Sequence, residues 1–382
     1  MPRTGQTLGH LSIMDSELIY LIALTRVLPY QSQVQHQLLQ AAGSATALFE
    51  ARRHLRDLIP EASERLVKPM TQMEVHLQRA EEEITFAERN HISVIAYDAP
   101  NYPARLRECT DPPILLYYRG TADLNNLHIL SIVGTRKATE YGESFCTHFL
   151  RDLSALVPDV VVVSGLAYGI DINAHRQALA HHLPTVGVLA HGLDQIYPRM
   201  HRPTAIEMLS NGGLLTEFMS HSTAEKLNFV ARNRIVAGMA DATMVVESAQ
   251  KGGSLITARI AEDYGRDVFA VPGRVNDAYS AGCNNLIRDN RATLLLNAED
   301  FVQNMGWATL QAEQRPVQRN LFEELSSDET VVFEALKDSE GKQLNQLTVE
   351  TNLPVAQLSS TLFDMELKGI VRRLAGGTYR LV

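Results

Sequence analysis

The chain is predicted to be an α/β protein: a parallel, doubly wound sheet, flanked by an N-terminal helical domain and a C-terminal winged helix. Three observations carry this. From Ser131 to about Met305, short apolar strands alternate with helical patterns, as a parallel sheet covered on both faces requires. Those strands repeatedly end in turns that combine Gly with Arg, Ser or Thr. The two flanks lack the alternation, one being helical throughout and the other reading as three helices and a hairpin.

From Asp15 to about Asn90 apolar residues recur at helical spacing, including Leu18, Ile19, Leu21 and Ile22 and later Leu38, Leu39, Leu48 and Phe49. Pro29 and the AAGS turn at Ala41 divide the stretch into short helices, and TQMEVHLQRAEEEITFAERN forms a longer one. Ile92 to Tyr97 reads as a strand, and a Pro-rich connection leads to another at Ile114 to Arg119. Further strands are expected at His128 to Val133, Val160 to Ser164, Thr185 to Leu189, Leu214 to Glu217, Ala242 to Glu247, Val268 to Val271 and Thr293 to Leu296. Gly306 to Ser327 is polar and holds a Pro, so it reads as a linker. Helices follow at Glu329 to Lys337, Leu344 to Thr351 and Val355 to Lys368, and GIVRRLAGGTYRLV closes with a Gly-Gly hairpin. The domains are therefore placed at 1–90, 91–305 and 328–382, with the linker at 306–327.

At 382 residues, 45% of them hydrophobic, the chain has the composition of an ordinary globular protein of two or three domains. No apolar run approaches a membrane span, and MPRTGQTLGHLS lacks a signal-peptide core, so no membrane association and a cytoplasmic location are expected. Cys109, Cys146 and Cys283 lie far apart without CxxC spacing, which indicates buried thiols rather than disulfides or a zinc site. The net charge of −9 excludes a broadly basic coat, and between Ser131 and Met305 there are 15 Lys/Arg against 18 Asp/Glu. A polyanion site must then be local. Arg136, Lys137, Arg199, Lys226, Arg232, Arg234, Lys251 and Arg274 all fall in predicted turns, which makes such a patch possible.

Gly134 ends the strand HILSIVG and lets the backbone turn before Arg136 and Lys137, carrying a guanidinium that can grip phosphate at two points. In SGLAYGID, Ser164 offers a hydroxyl, Gly165 and Gly169 free the backbone, and Asp171 can cap the following helix. ARNR places Arg232 and Arg234 around Asn233; two adjacent cations there point to an anion or to an ion-pair network with Glu217 or Asp241. Lys251, Gly252 and Gly253 precede a helix with Ser254 and Thr257 in its first turn, where hydroxyls and free N–H groups can meet an anion. Neither a Walker A loop nor a GxGxxG fingerprint is present. His175, His181, His182 and His191 match no metal-pair spacing, and no catalytic constellation stands out.

The series VGTR…YG at Val133, SGLAYGIDINAH at Ser164, GLDQIYP at Gly192, ARNRIVAG at Ala231, GGSLITA at Gly252 and GRDVFAVPG at Gly265 resembles the DNA-processing protein A (DprA or Smf) family. The similarity spans about Ile92 to Val302. It implies an extended Rossmann-like domain with a SAM-like N-terminal module, in a non-catalytic protein, needing no cofactor, that binds and protects single-stranded DNA and helps load the RecA recombinase in natural transformation, as a homodimer. Carried over residue by residue, the family's DNA contacts fall on Arg136, Arg199, Arg232 and Arg234 and on the pocket of Gly252, Gly253 and Ser254. The chain departs from the family pattern in reading Tyr197-Pro198-Arg199-Met200-His201 where YPxxN is common and in having Val230 before ARNR. The N-terminal helices lack a Gly-x-Gly hairpin to present N–H groups to phosphate, and the winged helix holds six Lys/Arg against eight Asp/Glu, a balance that suits protein contact.

Two rival readings share features of the sequence. A nucleotide phosphoribohydrolase of the LOG or lysine-decarboxylase-like family shares such a Gly-Gly loop, but aligning on the two glycines puts Arg259 where that family's Glu supports glycosidic cleavage. A nucleotide-sensing transcription regulator would use the winged helix to read duplex DNA.

Overall fold

In the computed structural model, which describes residues 13–307, 325–337, 339, 341–374 and 377–382, the middle of the chain forms one nine-stranded sheet. Its strands are β1 (Ser93–Ala96), β2 (Leu115–Gly120), β3 (Ile129–Val133), β4 (Val161–Ser164), β5 (Thr185–Val188), β6 (Gly212–Thr216), β7 (Ala242–Val245), β8 (Asp267–Ala270) and β9 (Thr293–Leu294). The order is β1-β2-β6-β5-β4-β3-β7-β8-β9. All neighbours from β6 to β9 pair in parallel, while β1 and β2 add an antiparallel margin. The chain builds outward from β3 to β6 and returns to lay β7 on the other side of β3. The crevice between β3 and β7 is therefore the topological switch point, where open α/β sheets bind ligands.

Every residue of β3 and β4 is buried, because both faces of the sheet are covered. Ile129 and Val133 join the core under helix Lys226–Gly238 with Ile235 and Val236. Leu130 and Ile132 face the other way, onto Phe149, Leu150 and Leu153 of helix Glu140–Leu156. The N-terminal helices pack their own apolar stripe, with Ile22, Leu24, Leu38 and Leu48, against Leu115 and Tyr117 of β2.

Helices Ser327–Leu336, Leu344–Thr351 and Val355–Leu367 surround a three-stranded sheet of β10 (Lys342–Gln343), β12 (Thr378–Leu381) and β11 (Val371–Arg373), in that order, which is a winged helix. It meets the amino edge of the large sheet: Gln343 donates an amide hydrogen to Asp267 Oδ2 at 3.1 Å, at the start of β8. The α/β class, the strands and the winged helix expected above are found. Most of the expected linker, and the first glycine of the Gly-Gly hairpin, lie outside the described residues, as does MPRTGQTLGHLS. Ser326 caps the helix that starts at Ser327, so the end of the expected linker is already helix. The three cysteines are free and buried, and among the described residues no helix is long and apolar enough to cross a membrane.

One expectation is corrected. Lys226, Arg232 and Arg234 do not sit in turns: all three lie within helix Lys226–Gly238. Asn228, Arg232, Arg234, Ile235, Val236, Ala237 and Gly238 are buried, so apolar and polar residues alike face protein and no amphipathic stripe marks the helix in the sequence.

Candidate nucleic-acid interface

The turn after β3 is held open at the switch point. Thr135 donates its N–H to Glu247 O at 2.7 Å, just beyond β7, and leaves Arg136 and Lys137 exposed to solvent. Neither forms an ion pair among the described residues. The Arg136 guanidinium stands over the Phe229 ring, 5.0 Å from its centroid, a cation–π contact that orients it without neutralising it. Phe229 in turn meets Tyr197 edge-on at 6.2 Å.

The loop after β4 packs backbone to backbone against this turn. Gly169 has φ +75°, and a Cβ there would lie 2.2 Å from Thr135 O, so the approach needs glycine. Gly165 faces the Arg232 guanidinium, whose Nη1 would be 1.6 Å from a Cβ. Ser164 is buried, and its hydroxyl donates to Ile132 O at 2.6 Å. Asp171 lies within the first turn of helix Ile170–Ala180, receiving a long bond from Ala167 N at 3.4 Å.

Arg232 is the floor of the site rather than its rim. It is 4% exposed and donates through Nη1 to Val188 O at 2.9 Å, at the end of β5. Burial lowers its pKa, the charge of Asp171 works against that fall, and Arg136 adds to it. Burial conversely raises the Asp171 pKa, with Arg232 opposing. The two charges so compensate each other in the protein interior. His175 lies beneath them, its Nδ1 2.7 Å from Thr185 Oγ1; burial, then the charges of Arg232 and His201, push its pKa down to about 3.

Above the floor, Arg136, Gly165, Ala167, Tyr168, Leu189, Ala190, His191, Tyr197, Pro198 and Phe229 line a cleft. Its cavity of about 20 Å³ holds no more than a water-sized group. On its rim the rings of Tyr168 and Tyr197 are exposed. His191 Nε2 accepts from Tyr197 N at 3.1 Å and its Nδ1 faces Gly192 O at 2.9 Å, which fixes the loop that carries the exposed Arg199. Burial lowers the pKa of His191, keeping it neutral as that acceptor.

The structure thus brings together Arg136, Gly165, Gly169 and Arg232, with Lys137 on the same turn and Arg199 on the neighbouring loop. Lys251, Gly252 and Gly253 occupy the loop after β7, one strand over on the same edge, with Lys251 and Gly253 exposed. Ser254 is buried and donates to Ser248 Oγ at 3.0 Å, and Thr257 is buried as well. Asn233 is half-buried in its helix. Arg234 goes elsewhere: it pairs with Glu217, one of the two carboxylates foreseen for a network, and donates to Asp111 O at 2.9 Å. There it lines a cavity of about 400 Å³ against the N-terminal helices with Tyr30 and Phe218. Tyr168, His191, Tyr197 and Phe229 line the cleft without having been expected there. Aromatics beside turn residues, as in AYG and IYP, are the available signal for the two tyrosines; nothing in the sequence marks Phe229.

Comparison with known proteins gives the family. Residues 93–306 match the family model of the DNA recombination-mediator protein A, and residues 318–377 that of the DprA winged helix domain. The chain is 38% identical over 271 residues to a putative DNA processing protein DprA of Mycobacterium tuberculosis, covering 70% of this chain and 68% of the relative. It is 33% identical over 307 residues to protein Smf of Escherichia coli, covering 79% and 80%. The X-ray structure of DprA from Streptococcus pneumoniae superposes with a TM-score of 0.64 at 29% identity, covering 75% of this chain and 97% of that one. A Helicobacter pylori DprA structure, described by its single-stranded DNA binding mode, gives a TM-score of 0.50 at 30% identity, with 56% and 94% covered. With more than half its length matched by one family model, and its motifs assembled on one sheet edge, the chain belongs to the DNA recombination-mediator protein A (DprA/Smf) family.

Proposed function

We propose that this chain binds single-stranded DNA along the carboxyl edge of its sheet, shields the strand and hands it to the RecA recombinase during transformation, acting in the cytoplasm as a homodimer. The observation that carries the reading is Arg136: a solvent-exposed guanidinium without a carboxylate partner among the described residues, on the switch-point turn and next to aromatic rings. Phosphates meet Arg136, Lys137, Arg199 and Lys251 and the free N–H groups of the Gly252–Gly253 loop, while bases stack on Tyr168 and Tyr197. Arg232, Ser254 and Thr257 are buried beneath these turns, and Asn233 stays a candidate contact beside Arg232. The domain limits proposed are 1–90, 91–305 and 328–382. A DNA-processing role is common ground with the relatives, and the Helicobacter pylori structure, described by its single-stranded DNA binding mode, supports the choice of ligand.

The hydrolase alternative is answered by family membership: a recombination mediator holds its strand and does not turn it over. The test is anisotropy of a labelled dT oligomer across a salt series, with a duplex of equal length beside it. Affinity should fall with a log–log slope near −0.7 per phosphate neutralised, and the single strand should bind more tightly. Equal binding of single and double strands would contradict the reading. RecA assembly on a protein-coated strand, with and without this chain, tests the handover.

A further inference from the structure

Glu247 is 2% exposed at the switch point, and the hydrogen bonds it accepts come from the two ends of the Arg136 loop. Its main-chain oxygen takes the N–H of Thr135 at 2.7 Å, where the loop begins. Its Oε2 accepts from Thr139 N at 2.9 Å and its Oε1 from Thr139 Oγ1 at 2.5 Å, where the loop ends. Thr139 Oγ1 also accepts from Gly142 N at 3.5 Å as the N-cap of helix Glu140–Leu156. The first turn of that helix lies directly on the carboxylate: a Cβ at Gly142 would be 2.4 Å from Glu247 Oε2. A helix N-terminus stabilises an anion there.

A buried carboxylate beside a polyanion site has the wrong sign to attract the ligand, yet it has the geometry of a clamp. We propose that Glu247 is a positioning residue, which pins residues 135–139 at both ends so that Arg136 is presented to the DNA strand. This rests on the reading of Arg136 as a DNA contact.

The two possible roles predict opposite signs. If Glu247 acted through its field alone, Glu247→Gln would remove a repulsive charge and tighten binding. A clamp loses a charge-assisted hydrogen bond instead, and binding of the full chain to a dT oligomer should weaken about tenfold. Combined with Arg136→Ala, Glu247→Gln should cost no more than about a further twofold, since both act through one side chain. Unchanged or tighter binding by Glu247→Gln, or full additivity with Arg136→Ala, overturns the proposal. If Arg136→Ala itself binds like the parent, the interface reading fails first, and the two failures are told apart. Thr139→Ala should reproduce the loss and Thr139→Ser restore affinity; this pair decides the matter even if Glu247→Gln does not fold, and equal affinities for the two would overturn it.

Discussion

The carboxyl edge of the sheet and the winged helix both carry bases within an acidic chain, yet they spend them in opposite ways. On the sheet edge, Arg136 and Lys137 project from a turn anchored by backbone contacts, and no carboxylate of the described residues pairs with them. In the winged helix the three lysines are paired, Lys337 with Glu334 at 2.9 Å, Lys342 with Glu350 at 2.5 Å and Lys368 with Glu329 at 2.7 Å, and among the described residues only the hairpin arginines Arg372, Arg373 and Arg380 form no ion pair with a carboxylate. Its third helix, Val355–Leu367, exposes Phe363 and Leu367 beside Asp364 and Glu366, a surface suited to protein rather than phosphate. The difference teaches that a polyanion site depends on unpaired charge held on rigid turns, not on the number of bases in a region.

The comparison can be broken most sharply at Arg232. Arg232→Ala empties a buried position, leaves Val188 O unpaired and strips Asp171 of its compensating charge. Stability should fall by about 3 kcal/mol in denaturant titration, and dT binding should fall with it. Parent-like stability would mean that the floor of the site is not built as described. Arg136→Ala should leave folding intact, weaken dT binding about tenfold and flatten the salt slope by about 0.7. An unchanged slope would show that Arg136 meets no phosphate.

A smaller effect is expected on the other side of the comparison. Arg372 and Arg380 face each other across β11 and β12 and are exposed, so they are the bases of the winged helix most available to DNA. Replacing both by Ala should change dT affinity less than about threefold, whereas loss of two phosphate contacts would cost on the order of a hundredfold. A loss of that size would erase the contrast between the two regions.

The last contrast is a pH dependence of the sheet domain. His175 titrates near 6.5 when unfolded and near 3 when folded, so between those values the unfolded chain binds more protons. The stability this neutral, buried imidazole contributes is complete above about pH 6.5 and is lost as pH falls toward 3. His175→Gln should therefore make the melting temperature less sensitive to acid over that window. The winged helix, residues 328–382, contains no histidine and has no such contribution. An identical acid profile for parent and variant would rule out His175 as its source.

Much of this was legible. Runs such as HILSIV and VVVSG bury both faces, so they announce parallel strands without any partner being known, and a glycine at a strand end announces a turn. ARNR was misread as a turn because a helix enclosed on several sides shows no periodic stripe. Arg232 and Arg234 are two residues apart, and therefore on different faces of one helix; their spacing alone could not say which faced the cleft and which met Glu217. Glu247 belongs to no motif, since its importance lies in contacts with Thr135 and Thr139 more than a hundred residues earlier.

By itself the sequence determined the alternation of strands and helices, the glycine turns and the bases they carry, because these follow from local periodicity and backbone permissiveness. Tertiary structure decided which charges stay free. That outcome depends on β7 returning beside β3 and on which carboxylates are brought within reach, and long-range chain placement of this kind leaves no local trace in the order of residues.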